Sequence, residues 1–407
     1  MKNIYVSTFS QKVLGFVLAS SFLLVAVPAM AAITFGSVVS NANISGGDST
    51  LIINKPSSTV SGDFLIAGIT FNGGDDKTIT PPIGWTLIER TDGSGSNDDD
   101  IGIATYWKVA GASESSSYSW GISDSDRAAG GIIRYTGVDT SNPIDDSSEN
   151  EGSGDTLTAP SVTTTGDDHQ IIMFFAEDDD RSLNDTPSGT TELYQIENSN
   201  SNGPITVAVD FVKTTAGSVG TKSIDISNNE DWVTQTIALN VAPSGTVVIV
   251  KNAIPDDVQD FVFTSDIPSN MSFSLDDDTD ETLSNTKTIL SIPVGTYSVT
   301  EPAVSGWELT DLSCEGDDGD SVGNVETGVA IIDLDDGETI TCTFTNTKQG
   351  SITVHKDVVA PNGQTDVDDN SEFDVTLDGD NQQKISENSS YKYDNLALVS
   401  YTLAEVI

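Results

Sequence analysis

Three segments in the C-terminal half of this 407-residue chain each close an apolar row with a polar group. Side chains on a strand alternate faces with period two. On that parity Val247, Ile249 and Lys251 share a face, and so do Tyr297, Val299 and Glu301. Cys342, Phe344 and Asn346 share a third, with Thr341, Thr343 and Thr345 opposite. An amine, a carboxyl and a carboxamide are thereby aimed at one core. Buried charge is costly unless it is paired or neutralised. Burial lowers a lysine pKa and raises a glutamate pKa, so the two groups can exist as neutral amine and neutral acid. A neutral amine is a nucleophile. Lys251 can then attack the Asn346 side-chain carbonyl while Glu301 shuttles protons, which releases ammonia and leaves an amide crosslink. The bland alternative is a hydrogen-bonded polar cluster at the end of a sandwich, with Lys251 reaching solvent along its aliphatic stem.

The elements that must position these groups recur along the chain. Gly245 to Lys251 (GTVVIVK) matches Gly350 to Lys356 (GSITVHK), and Tyr297 to Glu301 (YSVTE) matches Tyr401 to Glu405 (YTLAE), at offsets of 105 and 104 residues. Residues 243–348 therefore read as one small domain and 349–407 as a truncated second copy. In the second copy Ile352, Val354 and Lys356 align, Thr353 and His355 face out, and Tyr401, Leu403 and Glu405 align. The first copy goes on to a further strand pair ending at Asn346, whereas the second stops at Ile407, so the natural protein is expected to continue. Lys356 and Glu405 have no Asn strand in that copy and could not close a crosslink. The two cysteines, Cys314 and Cys342, fall in the first copy. A bridge between them is expected in an oxidising compartment, two buried free thiols being the alternative.

These residues resemble the prealbumin-like repeat domains of Gram-positive pilins and of the stalk region of collagen-binding adhesins. The likeness covers 245–346 and, in part, 350–405. In those domains an inward Lys near the first strand, a Glu in a Tyr-x-Val-x-Glu strand and an Asn in the last strand form an intramolecular isopeptide bond. The resemblance implies that Lys251 and Asn346 are bonded and that Glu301 is the catalytic acid. It also implies small prealbumin or Ig-like β-sandwiches in tandem. No pilin sorting signal is visible.

The N-terminal half reads as all-β as well. Short alternating runs are punctuated by Gly, Asn, Asp, Ser and Pro, with strands expected near 51–53, 64–71, 85–89, 101–109, 118–122, 131–135, 170–175, 192–196, 205–212 and 232–239. Pro82 to Leu87 resembles Pro187 to Leu193, and Ile103 to Lys108 resembles Ala208 to Lys213, with Gly84 to Gly189 and Lys108 to Lys213 both at an offset of 105 residues. Residues 33–242 are read as one jelly-roll-like β-sandwich, or as two pseudo-symmetric halves sharing a core. Asn142 to Gly154 is read as an acidic linker between the halves. Segments 79–85 (ITPPIGW) and 106–112 (YWKVAGA) resemble jelly-roll modules of large bacterial secreted proteins, a likeness that brings no defined ligand.

Residues 1–31 read as a secretory signal peptide: Lys2 and Lys12, an apolar run, and Ala29-Met30-Ala31 as the cleavage site. The apolar run is short for a membrane span, so no membrane insertion is expected after cleavage. The chain carries −46, and removing two lysines takes it to −48. Such a charge repels phosphates and excludes nucleic acid as a partner. Acidic clusters recur at Asp98 to Asp100, Asp178 to Asp180, Asp276 to Asp278, Asp317 with Asp318, Asp335 with Asp336, and Asp366 to Glu372. Asp366, Asp368 and Asn370 come closest to calcium-loop spacing, though solvated loops of an acidic protein are the plainer account. No cofactor is otherwise expected. Trp85, Tyr106, Trp107 and Trp120 could stack on sugars, but core aromatics explain them better. With two scattered histidines, His169 and His355, and no nucleophile or phosphate-loop motif, no enzyme activity on an external substrate is expected. The sequence thus points to an exported surface adhesin or structural stalk with an extracellular protein or glycan partner. The alternatives are a secreted carbohydrate-binding protein accessory to a degradative enzyme and a surface-layer or filament subunit.

Overall fold

A computed structural model describes residues 32–406 apart from 44–48, 94–99, 124–126, 179–185, 197–202, 279, 281, 317, 358–371, 387–388 and 398. The signal segment 1–31 and the calcium candidate Asp366, Asp368 and Asn370 lie outside the described residues. The protein is all-β, and among the described residues the helical structure is one 3₁₀ turn, Gly74–Asp76. The chain divides into two compact units, Met30–Pro243 and Ser244–Ile407.

The first unit begins with β1 (Thr34–Asn43), β2 (Thr50–Asn54), β3 (Phe64–Asn72), β4 (Ile79–Thr80) and β5 (Thr86–Asp92). It continues with β6 (Ile101–Val109), β7 (Ser117–Ile122), β8 (Ala128–Thr136), β9 (Ile144–Ala159) and β10 (Thr163–Thr164). It ends with β11 (His169–Glu177), β12 (Thr191–Ile196), β13 (Ile205–Lys213), β14 (Gly217–Ser218) and β15 (Lys222–Leu239). One sheet has the order β1-β8-β3-β6-β5 and another the order β12-β13-β11-β15-β9. Read from the opposite edge, the second repeats the first strand for strand, so the 105-residue sequence repeat is a repeat of structure. Where the first copy has separate strands β1 and β2, the second has the single strand β9.

β3 and β11 are buried along their whole length. A strand covered on both faces reads as a near-continuous apolar run. Phe64 and Ile66 share one core with Ile172 and Phe174 of the other repeat, while Leu65 and Ile69 join a second core and Ile171 and Met173 a third. The two repeats therefore press their central sheets together. Tyr135 crosses that seam to donate to Asp210 Oδ2 at 2.7 Å. The segment 142–154, expected as a linker, is mostly strand β9, at the edge of its sheet. An edge strand has one side free for solvent and tolerates charge, which is why its acidic composition reads as a linker.

The second unit opens with β16 (Ser244–Ile254), β17 (Asp257–Ser265), β18 (Ser272–Asp277), β19 (Thr286–Pro293) and β20 (Gly295–Thr300). β21 (Trp307–Glu315), β22 (Val322–Asn324), β23 (Val329–Leu334) and β24 (Thr339–Lys348) follow. Two sheets, β19-β16-β24-β21 and β18-β17-β20-β23-β22, enclose one core that includes Val247, Ile249, Phe261, Phe263, Val299 and Phe344. β16 and β24 run parallel although they stand at opposite ends of the sequence of this sandwich. After it come β25 (Gly350–His355), β26 (Glu372–Leu377), β27 (Asp380–Ser386), β28 (Ser390–Leu396) and β29 (Leu403–Val406). They form the sheets β25-β28 and β27-β26-β29 around Val354, Val375, Leu377, Ile385 and Tyr393.

Candidate functional site

The three polar groups that strand parity aims inward meet in the core of the second unit. Lys251 is near the end of β16, Asn346 near the end of β24, and Glu301 follows the last residue of β20 in the facing sheet. Lys251 is 0% exposed, Asn346 2% and Glu301 4%, so the amine does not reach solvent. Lys251 Nζ donates to Asn346 Oδ1 at 2.7 Å, to the Phe344 carbonyl at 2.9 Å and to the Asn252 carbonyl at 3.1 Å. Asn346 Nδ2 in turn donates to Glu301 Oε1 at 2.6 Å. The second carboxylate oxygen, Glu301 Oε2, lies 4.0 Å from Nζ and is buried without a hydrogen-bond partner.

Burial shifts both groups toward their neutral forms. Burial pushes the Lys251 amine down to about 8, although the charges of Glu301 and Asp277 pull the other way. Burial likewise raises the Glu301 carboxyl, opposed by the Lys251 charge and the Asn346 hydrogen bond. The Phe261 ring lies 4.1 Å beneath the amine and excludes water from that side. A neutral amine against an amide carbonyl, with an acid on the amide nitrogen, is the arrangement that acyl transfer from nitrogen to nitrogen requires.

Parity identifies all three residues, but not their surroundings. The Phe344 and Asn252 carbonyls, the Phe261 ring and Asp277 each shape the site, and Asp277 lies in an acidic run that reads as a solvated loop. The alternation of Phe344 with Cys342 and Asn346 was the available signal for the first of these.

Cys314 and Cys342 are bonded, and they stand directly opposite one another on β21 and β24. In the second copy Lys356 is 4% exposed, lies over the Phe373 ring and donates to both oxygens of Glu405 at 3.3 and 3.2 Å. Its outward neighbours Thr353 and His355 are exposed, as the alternation requires. Carboxylate oxygens of Asp276, Asp278 and Asp280 lie within 4.8 Å of one another. Trp85, Tyr106 and Trp120 are core residues, 7%, 3% and 0% exposed, and Trp107 stacks on Phe64. No helix among the described residues is long and apolar enough to cross a membrane.

Residues 247–348 match the family model of a prealbumin-like fold domain. No curated protein matches the chain. Among solved structures it is similar to the Bacillus anthracis TIE protein, at 16% identity and a TM-score of 0.23, over 64% of this chain and 52% of that one. This chain thus spans about half the length of that relative. It is also similar to the major pilin protein T-13 of Streptococcus pyogenes, at 13% identity and a TM-score of 0.22, over 49% of this chain and 99% of that one. A bacterial adhesin from Mobiluncus mulieris, containing intramolecular disulfide, isopeptide and ester bond cross-links, is 8% identical with a TM-score of 0.21, over 49% of this chain and 99% of that one.

Proposed function

We propose that this chain is an exported cell-surface adhesin or structural stalk protein whose prealbumin-like domain locks itself with an isopeptide bond between Lys251 and Asn346. The observation that carries the reading is the dry contact of Lys251 Nζ with Asn346 Oδ1 at 2.7 Å while Glu301 holds the carboxamide nitrogen at 2.6 Å. The Nζ–Cγ bond forms, the Cγ–Nδ2 bond breaks, and Glu301 relays a proton from the attacking amine to the departing nitrogen, which leaves as ammonia. Glu301 is regenerated, and the chain acts once on itself rather than turning over an external substrate. The N-terminal basic and apolar segment with its Ala-x-Ala end supports export. Its partner is then an extracellular protein or glycan, met by the Met30–Pro243 unit.

Intact-mass spectrometry of the purified chain tests the bond. The expected mass is one ammonia below that of the signal-cleaved, disulfide-bonded chain, with a branched peptide joining the Lys251 and Asn346 fragments after digestion. Glu301→Gln, which keeps the shape but not the acid, restores the full mass. A wild-type chain at full mass would end the covalent reading.

A further inference from the structure

A cavity of about 560 Å³ opens beside the triad in the second unit, and Glu301 and Asn346 form part of its wall. Trp307 and Glu308 from β21, Glu326 from the turn before β23, and Asn395 from β28 also line it. Its charged side chains are all acids: Glu301, Glu308 and Glu326. On the other flank the amine is closed in by the Phe261 ring and the Phe344 carbonyl. The buried Glu301 Oε2 has no hydrogen-bond partner, the Lys251 amine lying 4.0 Å away.

We infer that this cavity is the release site for the ammonia set free when Lys251 displaces Asn346 Nδ2, an inference that rests on the crosslink reading above. The nitrogen that must leave is already hydrogen-bonded to Glu301 at 2.6 Å. When the Cγ–Nδ2 bond breaks, Nδ2 takes the proton relayed by Glu301 and departs as ammonia, for which the unpartnered Oε2 is an acceptor. A trapped ammonia would attack the new amide and restore the starting groups, so its departure makes the bond permanent. In the outer cavity ammonia gains a proton from water, and acidic walls hold a small cation and pass it to solvent. The cavity is therefore a site for ammonia, ammonium and small primary amines, and it rejects anions.

Two exposed positions on its rim allow a test in the full chain. Ala303 follows Glu301 by two residues, and Thr327 sits in the turn whose Gly328 carbonyl accepts the Glu301 amide at 2.9 Å. Chains made by cell-free translation are sampled over time and run under denaturing conditions, where the crosslinked form migrates faster. Ala303→Trp and Thr327→Trp should each slow closure about tenfold with the same end point, because product release becomes limiting, while Ala303→Ser and Thr327→Ser close at the wild-type rate. Tryptophan variants that form the Cys314–Cys342 bridge normally and close as fast as wild type would overturn the inference. A second measurement needs no substitution: wild-type closure in ammonium chloride should be slower than in tetramethylammonium chloride at matched ionic strength. Equal rates in the two salts would overturn it as well. A wild-type chain that never loses ammonia would instead sink the crosslink reading, and this one with it.

Discussion

Lys251 and Asn346 sit on adjacent parallel strands, two residues out of register, with Lys251 opposite Phe344 and Ala253 opposite Asn346. The amine therefore crosses from β16 to β24 over one pleat. A bond at this point ties the first strand of the sandwich to its last and closes a loop of 95 residues (346 less 251). Constraint of the unfolded chain over such a loop is worth about 4.7 kcal/mol in the chain-entropy model. Lys251→Met keeps an apolar stem without an unpaired charge, so it should cost about that much, read by calorimetry on the transition of the Ser244–Ile407 unit. Lys251→Ala should cost more, because it also leaves a cavity.

A pull on the two ends of this domain would enter through its first strand, β16, and leave through its last, β24. With the crosslink closed, a pull applied at the two ends of the domain bypasses residues 252–345. Force spectroscopy of the wild-type chain should lack an unfolding step of about 330 Å, the extended length of those residues at roughly 3.5 Å each. Asn346→Ala should restore that step once the Cys314–Cys342 bridge is reduced, and a step shorter by the bridged loop while the bridge is closed. Proteolysis should agree, because nicks between Lys251 and Asn346 leave the wild-type fragments joined under reducing, denaturing conditions.

The reactive pair is neutral amine with neutral acid, which holds one proton fewer than the fully protonated pair. Closure should therefore follow a bell-shaped pH profile. It falls on the acid side as Lys251 becomes locked as ammonium beside a protonated Glu301. It falls on the alkaline side, above about 8, where the pair gives up its last proton and no acid remains to relay. Stability adds a second pH signature in the unbonded Asn346→Ala variant. There the folded state gives up the Lys251 proton near pH 8, while the unfolded chain keeps it to the ordinary value of 10.5. The unfolded state binds more protons in that window, so the variant gains stability as pH rises from 8 to 10.5. In the closed wild-type chain Lys251 is an amide and that rise is absent, which denaturant titration across the window checks.

Much of this site was legible because parity is a local property. Lys251, Glu301 and Asn346 each end an apolar alternation, and each is buried as the alternation requires. What parity could not give is which strands meet. The parallel pairing of β16 with β24 spans nearly the whole domain, and Glu301 comes from the opposite sheet. Neither leaves a trace in a window of a few residues. The same limit explains β9: its alternation of Asp, Ser, Glu and Gly has no apolar face to announce a strand, and its order comes from pairing with β15. The repeat in the first unit was visible as an offset of 105 residues, yet the seam between its halves depends on which face of β3 meets which face of β11, and both strands are apolar on both faces.

The disulfide and the proposed crosslink grip one strand from its two sides. β24 has β16 on one flank and β21 on the other, and Cys342 is bonded to Cys314 of β21. The bridge spans a separation of 28 residues, a loop worth about 3.5 kcal/mol in the chain-entropy model. Replacing both cysteines by alanine should lower the stability of this unit by about that amount, read by denaturant unfolding. Ammonia loss should still go to completion, because the Lys251 and Glu301 contacts with Asn346 do not pass through the bridge. Full retention of the uncyclised mass in that variant would show instead that the bridge is needed to position β24.

The seam of the first unit is set by missing side chains. A Cβ on Gly68 of β3 would lie 2.6 Å from the Phe174 ring of β11, and a Cβ on Gly131 of β8 would lie 2.5 Å from the Tyr194 ring of β12. Each glycine faces a ring from the other repeat, so a ring from one half fills the space that a side chain would need in the other. Phe174 is fully buried and cannot swing aside into solvent. Overpacking of this kind costs about 1–3 kcal/mol, and Gly68→Ala should destabilise the Met30–Pro243 unit by that amount without changing the second unit's transition. Pairing Gly68→Ala with Phe174→Leu should recover part of the loss, because the smaller side chain makes room for the new methyl. A double-mutant cycle measures that coupling, expected at about 0.5–3 kcal/mol for residues in contact. Strict additivity would mean that the two repeats do not press together at this point.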